Sequence, residues 1–133
     1  MEATLFNPNP AAYLPHRKPF LMLDRILVLE PGVHGCAEKL VNGIMDCLPQ
    51  MLLIECVAQL AGIVAGQQEG TEGFLASIGR AEFSAVSARA GDRLIVTARI
   101  LKSFGRLCLV EGNVECNGNR LVEAQISIGI GRI

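Results

Sequence analysis

Glu55 is the residue whose surroundings most demand a chemical reason. It stands in Met51-Leu52-Leu53-Ile54-Glu55-Cys56-Val57-Ala58-Gln59-Leu60-Ala61-Gly62-Ile63-Val64-Ala65, where almost every other residue is apolar. Helical periodicity gives such a run no wet face, so the carboxylate is expected to be buried and either to find a partner or to take a raised pKa. Two readings follow. One is an acid or base facing a largely apolar substrate cavity; the other is a structural glutamate hydrogen-bonded to neighbouring backbone. Gln59 lies one turn later on the same helix face, in reach of that carboxyl group or of a ligand. Cys36, Cys47, Cys56, Cys108 and Cys116 are odd in number, scattered, and contain no Cys-x-x-Cys pair or nearby histidines at metal-ligand spacing. Reduced, mostly buried thiols are expected and no metal; Cys47, just before the helix, is either a packed thiol or one whose thiolate the helix dipole favours.

The elements that must position these groups can be read from turns and periodicity. The chain of 133 residues is long enough for one compact core, a single domain over 1–133 with an irregular arm over 1–19. With 50% hydrophobic residues and a net charge of -1, it lacks the basic excess of a nucleic-acid binder. The run from Met51 to Ala65 is shorter than a membrane span and carries Glu55 and Gln59, so no membrane segment is expected. The N-terminus resembles no signal peptide, and a cytoplasmic location follows by default. Asn7 to Pro19 holds four of the prolines and little periodicity. The arm is expected to run along the surface or to wrap a neighbour. Strands are predicted over 20–30 and 33–41 around the Pro31-Gly32 turn, followed by a helix over 49–67 that opens at Pro49 and stops at Gly66. Four more strands are predicted over 73–83, 93–103, 106–116 and 121–130, with Asn117-Gly118-Asn119 as a strong hairpin signal. One long apolar helix calls for an antiparallel sheet that curls round it, with Ala58, Ala61 and Gly62 allowing close approach. That α+β architecture is a hotdog fold.

With these elements in place, Tyr13-Leu14-Pro15-His16-Arg17-Lys18-Pro19-Phe20-Leu21-Met22-Leu23-Asp24-Arg25 resembles the opening signature of the bacterial (3R)-hydroxyacyl-ACP dehydratases of fatty-acid synthesis. Leu52 to Gly62 is similar to that family's catalytic helix, Phe74 to Phe83 to the next strand, and Gly91-Asp92-Arg93-Leu94 to the following turn. The resemblance covers about residues 13 to 130. It implies paired hotdog protomers whose tunnels admit an acyl thioester, carried by acyl carrier protein or coenzyme A, with no cofactor. Glu55 is then the carboxylic member of a His–Glu dyad shared between protomers. Histidine removes the proton next to the thioester carbonyl, and the carboxyl group protonates the departing hydroxyl. Backbone N–H groups near Gln50 and Met51 would face the thioester oxygen.

The chain departs from this pattern ahead of the helix. Where the family carries Gly-His-Phe-Pro, gapless alignment puts Val41 at the histidine, and Asn42 to Leu48 contains none. Pro49-Gln50 replaces the family's Pro-Gly. His16 either holds the arm or acts in catalysis; His34 is a surface or strand-pairing residue. Asp46 is a loop or cap residue, or an acid that orients water toward a thioester carbonyl. Arg80, Arg89, Arg93, Lys102 and Arg106 are either dispersed surface charge or a cluster beside a tunnel mouth, where an acidic carrier protein would dock. Three functions are therefore expected: a dehydratase-like homodimer or higher oligomer, a half-site partner that pairs with a histidine-bearing hotdog subunit, and an acyl thioesterase using Glu55 or Asp46.

Overall fold

The computed structural model describes residues 6–15, 21–42, 49–66 and 71–132. Strand β1 (Arg25–Glu30) and β2 (His34–Leu40) precede helix α1 (Gln50–Val64), and β3 (Thr71–Phe83), β4 (Arg93–Phe104), β5 (Leu107–Cys116) and β6 (Asn119–Arg132) follow it. All six strands form one antiparallel sheet in the order β1-β2-β4-β5-β6-β3. The chain thus leaves β2, passes along α1 and lands on the far edge as β3. The sheet curves over the helix without closing, which is the hotdog architecture expected from the element order.

Alternation decides which face meets α1. Leu94, Val96 and Ala98 of β4, Val110 and Val114 of β5, and Val122, Ala124, Ile126 and Ile128 of β6 are buried at every second position. From the helix, Leu53, Ile54, Val57, Leu60, Ala61, Ile63 and Val64 complete this core. Close approach depends on the sheet as well as on the small helix residues. A Cβ at Gly35 would stand 2.8 Å from Val64 Cγ2, and one at Gly112 would collide with Val57. Both strands can lie against α1 because these positions carry no side chain.

The ends of the elements have local causes. Pro49 is the helix N-cap rather than a first-turn residue, with φ -55, and Gly66 ends the helix at φ 92. Gly32 N donates to Val64 O at 2.7 Å, so the β1–β2 turn satisfies a terminal helix carbonyl. Asn117 and Gly118, at φ 51 and 80, form the two-residue hairpin turn between β5 and β6. Strand β1 begins later than predicted because the Met22 N–H is committed to the Gln59 side chain. The arm is pinned to its own protomer: Asn9 caps a 3-10 turn over Pro10–Ala12, Ile26 N donates to Pro8 O at 2.8 Å, and Leu14 is buried.

Among the described residues no helix is long and apolar enough to cross a membrane. Cys36, Cys56, Cys108 and Cys116 are free thiols, and burial pushes Cys56 up to about 12. Cys47 lies outside the described residues.

Candidate active site

The middle of α1 brings Glu55 and Gln59 together as their spacing predicts. Gln59 Nε2 donates to Glu55 Oε1 at 3.1 Å, while Gln59 Oε1 accepts the Met22 backbone N–H at 2.8 Å. The second bond fixes the first. A backbone N–H can only donate, so the amide oxygen of Gln59 must face Met22 and its nitrogen must face Glu55. Glu55 Oε1 is then an acceptor, and a proton carried by this carboxyl group sits on Oε2. The partnered carboxylate foreseen from the sequence is present, but its partner is a side chain rather than backbone.

Burial differs from the expectation. Glu55 is half-buried, whereas Gln59 is almost fully covered. The reason is the sheet order: α1 packs against β2 to β6, and the stripe that faces β3, a strand at the edge of the sheet, is left partly open. Along that stripe Met51 is 56% exposed, Glu55 is half-buried and Ala58 is nearly covered. Between Glu55 and β3 lies a hollow of about 30 Å³ lined by Leu14, Glu55, Ala58, Gln59, Gly73, Phe74 and Leu75. It has room for a water molecule or two but not for an acyl chain.

The strand beside it is unfinished. Among the described residues β3 pairs with β6 alone, and Ala76, Ser77, Ile78, Gly79 and Arg80 are all exposed. Register shifts between Leu75 and Ser77 and between Ile78 and Arg80 kink it next to the hollow. Ile78 and Phe83 pair with the inward-facing Ile126 and Val122, so they point to the helix side of the sheet, yet both stay exposed.

The other expected site residues fall elsewhere. Gln50 Nε2 donates to Ser84 O at 3.3 Å, tying the helix start to the segment after β3; neither Gln50 nor Met51 lines the hollow. His16 and Asp46 lie outside the described residues. His34 Nδ1 stands 3.1 Å from Glu30 on the β1–β2 hairpin. Its neighbour Gly35 faces the helix, so alternation turns His34 to the opposite face. Among the described residues no group of His, Cys, Asp and Glu could hold a metal.

The five cations do not form one cluster. Arg93 opens β4 and pairs with Glu38 at 2.7 Å, and Arg80 faces Glu123 at 3.9 Å. Lys102 and Arg106 lie at the other end of β4, where Lys102 sits over the Phe104 ring at 4.9 Å. Sequence reasoning missed Leu14, Met22 and the Gly73–Leu75 stretch as parts of the site. The signal was available in one respect: Leu14 and Met22 lie on either side of the Pro15-His16-Arg17-Lys18-Pro19 stretch of the sequence.

Several known proteins are similar to this chain. The ApeP-like family, described as ApeP dehydratase, matches residues 8–129. The 3-hydroxyacyl-[acyl-carrier-protein] dehydratase FabZ of Streptococcus sanguinis is 30% identical over 131 residues, covering 90% of this chain and 93% of the relative. The dehydratase heterocomplex ApeI:P from Xenorhabdus doucetiae contains a chain of 19% identity that superposes with a TM-score of 0.85 over 96% of this chain and 93% of its own length. A hypothetical thioesterase from Streptococcus pneumoniae, solved with coenzyme A, is 12% identical with a TM-score of 0.65, covering 80% and 84% respectively. The two solved structures share the hotdog fold, and the family match over most of the sequence goes further: this chain belongs to the ApeP-like dehydratases, within the hotdog hydroxyacyl-ACP dehydratase group.

Proposed function

We propose that this protein contributes the acid half of a dehydration site for 3-hydroxyacyl thioesters, and that a second hotdog subunit contributes the histidine base. The observation that carries this reading is Glu55, held by Gln59 and facing a hollow whose far wall is an unpaired edge strand. An acyl chain needs a longer cavity than one protomer offers. A second sheet laid along β3 would cover Ile78 and Phe83, close the tunnel over Glu55 and bring a base from outside. In the reaction, the partner's histidine takes the proton from the carbon next to the thioester carbonyl. The C3–O bond breaks as Glu55 Oε2 gives its proton to the hydroxyl, the C2=C3 double bond forms, and water leaves. That a chain of similar fold is known from a dehydratase heterocomplex supports the two-subunit form. Without such a partner the chain would form a homodimer through the same edge.

The carrier's approach has a surface on the far side of the Phe74 ring. Phe74 borders both the Glu55 hollow and a groove of about 310 Å³ formed with Phe104, Arg106, Leu107, Gly129, Ile130 and Gly131. Among the described residues Lys102 and Arg106 make no ion pair, which leaves both cations available to an acidic acyl carrier protein.

The test is a side-by-side assay of the purified protein, alone and mixed with a histidine-bearing hotdog subunit from the same cell. Mass spectrometry follows double-bond formation and thiol release from a 3-hydroxyacyl thioester. Slow dehydration alone and rescue on mixing are expected. Rapid water loss by the isolated protein would rule out an external base, and thiol release without a double bond would assign a thioesterase instead.

A further inference from the structure

We infer that the hollow beside Glu55 is a dedicated seat for the departing water, sized by Leu14 of the arm and Ala58 of the helix. The inference rests on the dehydration reading and adds a ligand subsite to it. At about 30 Å³ the space suits a hydroxyl group or a water molecule and excludes the acyl chain that bears it. Its walls are of two kinds. Leu14, Ala58 and Leu75 are apolar, whereas Glu55 and Gln59 are polar, and Gly73 to Leu75 belong to a strand that pairs with β6 alone among the described residues. An edge strand directs half of its polar groups away from its only neighbour, here β6, and a bound water needs two or more such partners.

The chemistry requires a place of this kind. When the C3–O bond breaks, the oxygen takes its second proton from Glu55 Oε2 and becomes water, and the carboxylate left behind must be separated from the new double bond. A water held against Glu55 but outside the acyl tunnel meets that need. It also explains why the arm reaches this far into the protein: Leu14 closes the hollow on one side while Met22, beyond the arm's histidine, fixes Gln59 on the other.

Two substitutions fill the hollow from different sides, Ala58→Val from the helix and Leu14→Phe from the arm. The crystal structure of the protein alone should show an ordered water on the Glu55 carboxyl group, absent in the Ala58→Val protein. Mixed with the histidine-bearing subunit, both variants should lose at least about tenfold in kcat for dehydration and for hydration of the enoyl thioester. Thermal melting and titration with a non-reactive acyl-pantetheine verify folding and chain binding, and that affinity should change by less than about threefold. A dry hollow in the unaltered protein, or full turnover by a variant whose hollow is filled, overturns the inference and leaves the dehydration reading standing. An ordered water in a mixed complex that forms no double bond would defeat both.

Discussion

The two sides of the sheet differ in how completely this chain finishes them. Along β5, Val110 and Val114 are fully buried, and their strand has a neighbour on each side. Along β3, five consecutive residues from Ala76 to Arg80 are exposed, one edge has no partner among the described residues, and two register shifts interrupt the pairing with β6. The first region meets the ordinary requirements of a stable core. The second exposes apolar side chains beside the one carboxyl group of the helix, a combination that costs stability unless something else covers it. Stability is therefore concentrated at the centre of the sheet, and the proposed chemistry at its open edge, so substitutions in the two places should produce different kinds of failure.

The largest effect is expected at the open edge. Glu55→Gln should reduce dehydration by the mixed subunits by about 10²–10⁴ while leaving the melting curve nearly unchanged; full activity in that variant would remove Glu55 from the mechanism. Ile78→Asp should weaken association about a hundredfold or more in sedimentation, because a charge would be placed where β3 meets another sheet. Its far-UV circular dichroism should stay as it was. An unchanged association constant would place the interface elsewhere.

At the centre the order reverses, and folding is affected before activity. Gly112→Ala should destabilise the protein by about 1–3 kcal/mol in urea unfolding, since the new methyl group meets Val57. Gln59→Leu joins the two regions. It should lower kcat about tenfold and also cost about 1–3 kcal/mol, because the Met22 N–H loses its acceptor. Loss of activity without loss of stability would separate those roles. The last effect, confined to alkaline solution, is a pH dependence from Cys56. Its folded pKa lies near 12 against an ordinary 9.0, so its contribution is intact below pH 9 and declines as pH rises toward 12. The slope approaches about 1 kcal/mol per pH unit. Cys56→Ala should flatten this part of the unfolding profile.

Most of the fold was legible because its signals are local. Val122, Ala124, Ile126 and Ile128 announce an inward face, Asn117-Gly118 a tight hairpin, and Gly66 a helix stop. The Glu55–Gln59 pair was legible for the same reason, being one turn apart. What the sequence hid depends on partners distant in the chain. The Met22–Gln59 bond spans 37 positions and shortens a strand that composition alone would extend. Glu55 was expected to be buried because an apolar helix suggests cover on every side, whereas β3 supplies only one partial wall. The cations looked like a cluster because they follow one another in sequence, but a strand carries Arg93 and Lys102 to opposite ends of the sheet.

The position of α1 in the chain has a consequence for synthesis. The helix is translated before β4, β5 and β6, the strands that cover most of its apolar surface. At about 5–20 residues per second, the ribosome takes several seconds to add those strands, and during that time Leu53 to Val64 lack their native cover. A nascent chain of this design depends on chaperones or on a partner already made, and a truncation after β3 should aggregate rather than persist as a smaller domain.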